Sequence, residues 1–342
     1  MIEKLVVYPT FNCNMNCSYC SYKQNSSKYI SVDKFREAFK KFLKISKNPS
    51  VVFLGGEPLT NKEQLIKLVR EIKKESNEIP VTVFTNGTLL DRKIIKFFKE
   101  NNIKIVISID GPKNINDKSR KYRFSSKSSF ESIISKIKKL NIIQECSVNM
   151  VITKSNFKKI SENIEHLYNL GFRSIGWNID YSDNWQKNDI VELEKGIKKV
   201  FIKYMKMLKE EKDIYEISNR YEIIDFLNGK KENSCRNIIL YPDGNFYLCD
   251  KVINSKELLI KNKILEERKK LFKKFYKNYI NKDLFCPLGI YLHLKYEKKL
   301  PNKLIKKNLN IIYSMMSIIE KNIIRFFKIF LKYRNFRFKH KL

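Results

Sequence analysis

Over its first 210 residues this chain alternates in a way that narrows the folds open to it more than anything else in the sequence. Short runs rich in β-branched residues occur at 5–8, 50–54, 80–85, 103–109, 147–153 and 173–178. Between and after them lie segments with apolar residues at helical spacing, at 32–45, 62–75, 92–101, 129–140, 156–170 and 190–209. Ser31 and Asn61 stand just before two of these, where N-caps belong. Strands that are apolar along most of their length and separated by helices predict a parallel sheet covered on both faces. Six such units make an α/β barrel, open or closed, which we expect to be a partial (β/α)6 TIM-like barrel. In that architecture chemistry gathers at the carboxyl ends of the strands.

Near residue 213 the rhythm breaks. Segments 237–241 and 246–249 read as a hairpin around Pro242-Asp243-Gly244-Asn245. Basic helical patterns follow at 255–279, and a long one runs from 303 to about 333. The expected division is therefore a barrel at 1–212, a small α+β domain at 213–300 and a terminal basic helix at 301–342. Of the 342 residues 43% are hydrophobic, enough for a sizeable core. The formal charge of +33 comes from Lys and Arg spread along the whole chain, which reads more simply as a lysine-covered surface than as a nucleic-acid arm. With no long apolar run and no secretory pattern, the expected location is the cytoplasm, where seven cysteines are thiols or metal ligands rather than disulfides.

Three of those cysteines follow the first strand as Cys13-Asn-Met-Asn-Cys17-Ser-Tyr-Cys20. Thiolates spaced by three and two residues in one loop can each take one iron of a cubane cluster, leaving the fourth iron open to a ligand that is not protein. A zinc site would want a fourth protein ligand, and none of the three histidines is near in sequence. That reading and a redox-sensing loop are the competing ones. Further motifs sit at successive strand ends: Gly55-Gly56-Glu57-Pro58, Thr85-Asn86-Gly87-Thr88 and Ser108-Ile109-Asp110-Gly111-Pro112. Two glycines allow backbone to approach a ligand closely, and a strand-end carbonyl and carboxylate suit an ammonium group.

With these motifs, residues 4–180 resemble the radical S-adenosylmethionine (SAM) superfamily. The resemblance implies that Cys13, Cys17 and Cys20 hold a 4Fe-4S cluster whose open iron is chelated by SAM. It implies that Gly55, Gly56 and Glu57 contact the SAM amino group, that Tyr19 lies near the adenine and that Ser108 is a ribose or carboxylate contact. Asn86 joins these candidate cofactor contacts at the third strand end. An arginine after Asp117 should face the SAM carboxylate; Arg120 fits best and Arg123 is its rival. The implied chemistry is reductive cleavage of SAM to a 5′-deoxyadenosyl radical that abstracts a substrate hydrogen.

Of the remaining cysteines, Cys146 falls in an expected strand and reads as a core thiol. Cys235, Cys249 and Cys286 surround and follow the hairpin, which resembles a SPASM or Twitch auxiliary-cluster domain with a reduced ligand set, since Gly289 stands where a C-x2-C partner would be. One auxiliary cubane with three protein thiols is the expectation, a domain that has lost its metal the alternative. The segment 301–342 carries eleven basic residues against one acid, Glu320, with Ile311, Met315, Ile319, Phe326 and Phe330 on an apolar face. Such a helix packs on its own domain or meets an anionic peptide or peripheral membrane surface; no nucleic-acid motif is visible.

The resemblance implies a maturase acting on a ribosomally made peptide or protein side chain, served by an electron donor such as flavodoxin or ferredoxin. Anaerobic sulfatase maturation and cofactor or sugar biosynthesis are the enzymatic alternatives. A non-catalytic iron–sulfur protein is the alternative from another class. Because the first strand begins near residue 3, no N-terminal peptide-recognition extension is expected.

Overall fold

The computed structural model describes residues 2–20, 28–180, 183–210, 216–217, 236–247 and 259–260. The chain divides into two units, Met1–Asn149 with Ser234–Ile280, and Met150–Asn233 with Asn281–Leu342.

The first unit is built on β1 (Lys4–Val7), β2 (Ser50–Phe53), β3 (Val81–Thr85), β4 (Ile103–Ser108) and the start of β5 (Cys146–Ile152), all parallel and neighbours in that order. Helices α1 (Val32–Leu43), α2 (Lys62–Glu75), α3 (Arg92–Glu100) and α5 (Ser129–Leu140) make the crossovers. Ser31 and Asn61 cap as expected: each side chain accepts the N–H three residues on, from Lys34 and from Gln64. Asp91 and Ser128 do the same for α3 and α5. Helix α4 (Lys113–Ser119) was not expected, because Ile115 is its lone large apolar residue and it has no periodicity to read.

The hairpin belongs to the sheet of the first unit. Its strands, β8 (Asn237–Leu240) and β9 (Phe246–Tyr247), are antiparallel about a turn in which Gly244 has φ +88°. β8 pairs in parallel with β1, Lys4 opposite Asn237 and Val7 opposite Leu240. The sheet then runs on through β9 to β10 (Leu259–Ile260). Apolar side chains on both strands drive this: Val6, Tyr8 and Phe11 pack with Ile239, Tyr241 and Tyr247. The Tyr241 ring meets Tyr8 and Phe11 edge-on at 5.2 and 5.3 Å, and Tyr247 at 4.5 Å.

The second unit contains α6 (Ile160–Asn169), β6 (Ser174–Ile179), α7 (Lys187–Lys209) and β7 (Glu216–Ile217), with β6 and β7 parallel. Among the described residues no helix is long and apolar enough to cross a membrane.

Candidate cluster and cofactor site

The cysteine loop leaves the carboxyl end of β1 and is held from two sides. On one side it meets the residues after β2. Gly56 N donates to the Thr10 carbonyl at 3.0 Å and Glu57 N to the Asn12 carbonyl at 2.8 Å. The two glycines are needed for this approach. A Cβ on Gly56 would lie 2.1 Å from Asn12 O, and one on Gly55, whose φ is +124°, 2.6 Å from Thr10 O. The close approach anticipated for these glycines is thus made by the chain's own cysteine loop.

On the other side runs the segment after α4. Ser18 N donates to Ser119 O, Asn16 N to Lys121 O, and Arg123 N to Asn14 O, at 2.8, 2.8 and 3.0 Å, with Met15 and Tyr122 bridged in antiparallel fashion. This strap places both candidate arginines by the loop, though not equally. Arg120 is buried, pairs with Asp110 at 2.9 Å and lies 5.3 Å over the Tyr19 ring. Tyr19 completes the group by donating its hydroxyl to the other Asp110 oxygen at 2.7 Å. Burial opposes the Arg120 charge, but the Asp110 carboxylate outweighs it and holds the guanidinium above its ordinary value. Arg123 is half-buried, with its guanidinium 6.0 Å from the Phe124 ring. Ser108 sits half-buried at the end of β4, its register partner Asn149 on β5.

Glu57 has a role that its sequence position hides. Its carboxylate is fully enclosed and accepts from Thr85 Oγ1 (2.8 Å), Asn86 N (2.7 Å) and Leu59 N (3.0 Å). It caps the short 3-10 turn Pro58–Asn61 and ties the ends of β2 and β3 together. The carboxylate expected to meet an ammonium group is therefore engaged with the protein. Burial pushes it up to about 7, against the pull of those three donors.

Asn86 links the third strand to the cysteines: its Nδ2 donates to Asn14 Oδ1 at 2.8 Å and reaches Cys13 Sγ at 3.9 Å, while Met15 N donates to the same sulfur at 3.3 Å. None of the three loop cysteines is in a disulfide, and all are at intermediate exposure. Burial pushes Cys13 up to about 12 and Cys17 to about 11, with the Arg120 charge acting against it at Cys17. Cys146 is buried in β5, as the sequence indicates.

Asp110 stands in the strand-end motif Ser108–Pro112, but its anchoring role and the buried clamp of Asn116 were not read from the sequence. Asn116 Oδ1 accepts from Asp110 N at 3.1 Å, and its Nδ2 donates to Ser129 Oγ at 3.0 Å. The one available signal was that Asp110 lies two residues beyond Ser108. Cys235, Cys249, Cys286 and the segment 301–342 lie outside the described residues.

A parallel α/β fold with three thiols on the loop after its first strand defines a protein that binds at its strand ends. Residues 7–167 match the family model of the radical SAM superfamily, and over them the chain carries a radical SAM domain. It is 29% identical over 182 residues to an uncharacterised protein of Methanocaldococcus jannaschii, covering 52% of this chain and 63% of that one. It is 26% identical over 284 residues to a cysteine-type anaerobic sulfatase-maturating enzyme of Clostridium novyi, covering 73% of each. Among solved structures it resembles anSMEcpe with bound AdoMet and Cp18Cys peptide, with a TM-score of 0.66, 21% identity and coverage of 82% of this chain and 81% of that. That likeness shows the partial (β/α)6 TIM-like fold.

The superfamily uses a 4Fe-4S cluster and SAM, and the site suits both. Cys13 is close enough to feel the charges of Cys17 and Cys20, and Cys17 that of Cys20. Among the described residues no three His, Cys, Asp or Glu groups are placed to hold a single metal ion; a cubane needs its thiolates farther apart, one per iron. The Nε of buried Arg120 has no hydrogen-bond partner among the described residues, an orphan donor that an anionic group would satisfy.

Proposed function

We propose that this protein is a radical SAM maturase that abstracts hydrogen from a ribosomally made peptide or protein. The observation that carries this reading is the convergence of Cys13, Cys17 and Cys20 with the Tyr19–Asp110–Arg120 group at one set of strand ends. When bound, the cluster and SAM supply one-electron cleavage and a carbon-centred radical that takes the substrate hydrogen. The chain's residues bind and orient. Cys13, Cys17 and Cys20 hold one iron each, and Arg120 offers its unpaired Nε–H to the SAM carboxylate in preference to Arg123. Ser108 serves the ribose and Tyr19 the adenine side. Gly55 and Gly56 shape the amino-group end by seating the cysteine loop, and Glu57 and Asn86 brace it.

Support for a peptide substrate comes from the relatives, one a sulfatase-maturating enzyme and one a structure holding a peptide. Sulfatase maturation itself is the second reading, favoured by the likeness over 73% of both chains. In this reading an electron donor such as flavodoxin or ferredoxin serves the protein, and its compartment is the cytoplasm. From sequence, Cys235, Cys249 and Cys286 hold one auxiliary cubane, and the basic segment 301–342 recruits an anionic peptide or membrane surface.

Anaerobic reconstitution followed by SAM and dithionite tests the reading. We expect 5′-deoxyadenosine from wild type and none above background from Cys13→Ala, Cys17→Ala or Cys20→Ala. An alanine variant that cleaves SAM at the wild-type rate would sink the assignment.

A further inference from the structure

The side-chain amide of Asn86 can point only one way. Its Oδ1 accepts from Thr88 N at 3.0 Å and from the Thr88 hydroxyl at 2.7 Å. A backbone N–H can only donate, so the amide oxygen must lie on that side and the NH2 on the other. Asn14 confirms the sense: its Nδ2 donates to Thr88 Oγ1 at 2.8 Å, which leaves its Oδ1 to accept from Asn86. One Asn86 hydrogen goes there. The other is directed at Cys13 Sγ, 3.9 Å away. The backbone is pinned as well, since Asn86 N donates to Glu57 Oε2 at 2.7 Å and the residue is buried. Of the cofactor contacts expected from sequence, Asn86 is therefore better described by what it does to a cysteine.

We propose that Asn86 is a positioning residue that sets the reduction potential of the cluster, by aiming a fixed N–H at the sulfur of Cys13. This rests on the reading of Cys13, Cys17 and Cys20 as cluster ligands. One-electron reduction adds a negative charge that the cluster shares with its thiolates. A donor already aimed at one of those sulfurs interacts more strongly with the reduced than with the oxidised form, and so raises the potential. Because the donor is held by Thr88, Asn14 and Glu57, it is present before the electron arrives.

The test compares wild type, Asn86→Ala and Asn86→Asp after anaerobic reconstitution with iron and sulfide. Each is titrated with dithionite while the EPR signal of the reduced cluster is followed; the signal that changes on adding SAM identifies the cluster of the Cys13 loop. Iron content and circular dichroism are measured on the same samples. Asn86→Asp keeps the shape and the acceptor for Thr88 N–H but puts an oxygen where the donor was. We expect reduction of Asn86→Ala to be roughly threefold less favourable, a midpoint lower by about 30 mV for one electron, and that of Asn86→Asp to be lower still. Unchanged midpoints with full iron in both variants would overturn the proposal. Folded variants that take up no iron would also overturn it, making Asn86 a builder of the site rather than a setter of its potential. If wild type itself forms no cubane, the failure belongs to the cluster reading, and the two failures are distinguished by which protein shows them.

Discussion

Two buried carboxylates flank the cysteine loop, and the protein holds them by opposite means. Asp110 is matched by a charge: Arg120 pairs with one oxygen and the Tyr19 hydroxyl donates to the other. Glu57 has three hydrogen-bond donors and no cation among its partners in the described residues. The first arrangement keeps a guanidinium beside Cys17, with a donor to spare. The second is a latch between strand ends, and burial pushes its carboxyl up because nothing cationic among the described residues offsets it. Charge pairing holds one side of the loop, and neutral hydrogen bonding holds the other.

The largest expected effect comes from breaking the charged side. Asp110→Asn leaves the Arg120 guanidinium buried without its carboxylate, which costs about 3–5 kcal/mol. Denaturant unfolding of the metal-free protein should show this loss. A shift under 1 kcal/mol would mean that the pair is not what compensates the burial of the Arg120 charge.

Glu57→Gln sharpens the other side. A carboxyl whose pKa in the folded protein is raised from 4.5 to about 7 contributes stability that is complete below pH 4.5 and is lost as pH rises through 7. Wild-type metal-free protein should thus lose on the order of 3 kcal/mol between pH 4.5 and 8 from this group. In Glu57→Gln that slope disappears, while the amide leaves one of three buried donors unmatched at a cost of roughly 1–3 kcal/mol at low pH. Melting temperatures of the two proteins across that range decide it; parallel curves would contradict the assignment.

Glu71 of α2 is the outside comparison and should matter least. It accepts from Arg36 at 2.5 Å and Lys74 at 2.6 Å, bonds that hold its carboxyl down to about 2. A lowered value has the opposite sign: its stabilisation is present above pH 4.5 and is lost as pH falls toward 2. Arg36 and Lys74 are substantially exposed, so the effect is modest and weakens with salt. Glu71→Gln should lower neutral stability modestly, flatten the acid limb and leave iron content unchanged.

Much of this architecture could be read before any coordinates. The strands showed themselves as β-branched runs and the helices by their spacing. The caps at Ser31 and Asn61 showed themselves by residue type, because each of these signals is local. The three cysteines were equally legible, their spacing being the geometry of one loop. What escaped notice was tertiary. Tyr19 and Asp110 are 91 residues apart, and Glu57 and Asn86 are 29. No short-range pattern tells a carboxylate whether it will meet a ligand, an arginine or a backbone N–H. The strap after α4 was invisible for a similar reason, since backbone groups of Ser119 and Lys121 do its work and their side-chain identities carry no signal.

The pairing of β8 with β1 has a consequence for the order of assembly in the cell. Phe11, two residues before the first cysteine, is packed by Tyr241, which leaves the ribosome about 230 residues later. At roughly 5–20 residues per second this is a delay of roughly ten to fifty seconds. During that interval the edge of β1 has no partner and the cysteine loop lacks the aromatic floor on which it finally rests. The aromatic packing beside this loop is therefore complete only once the strand before Tyr241 has been made.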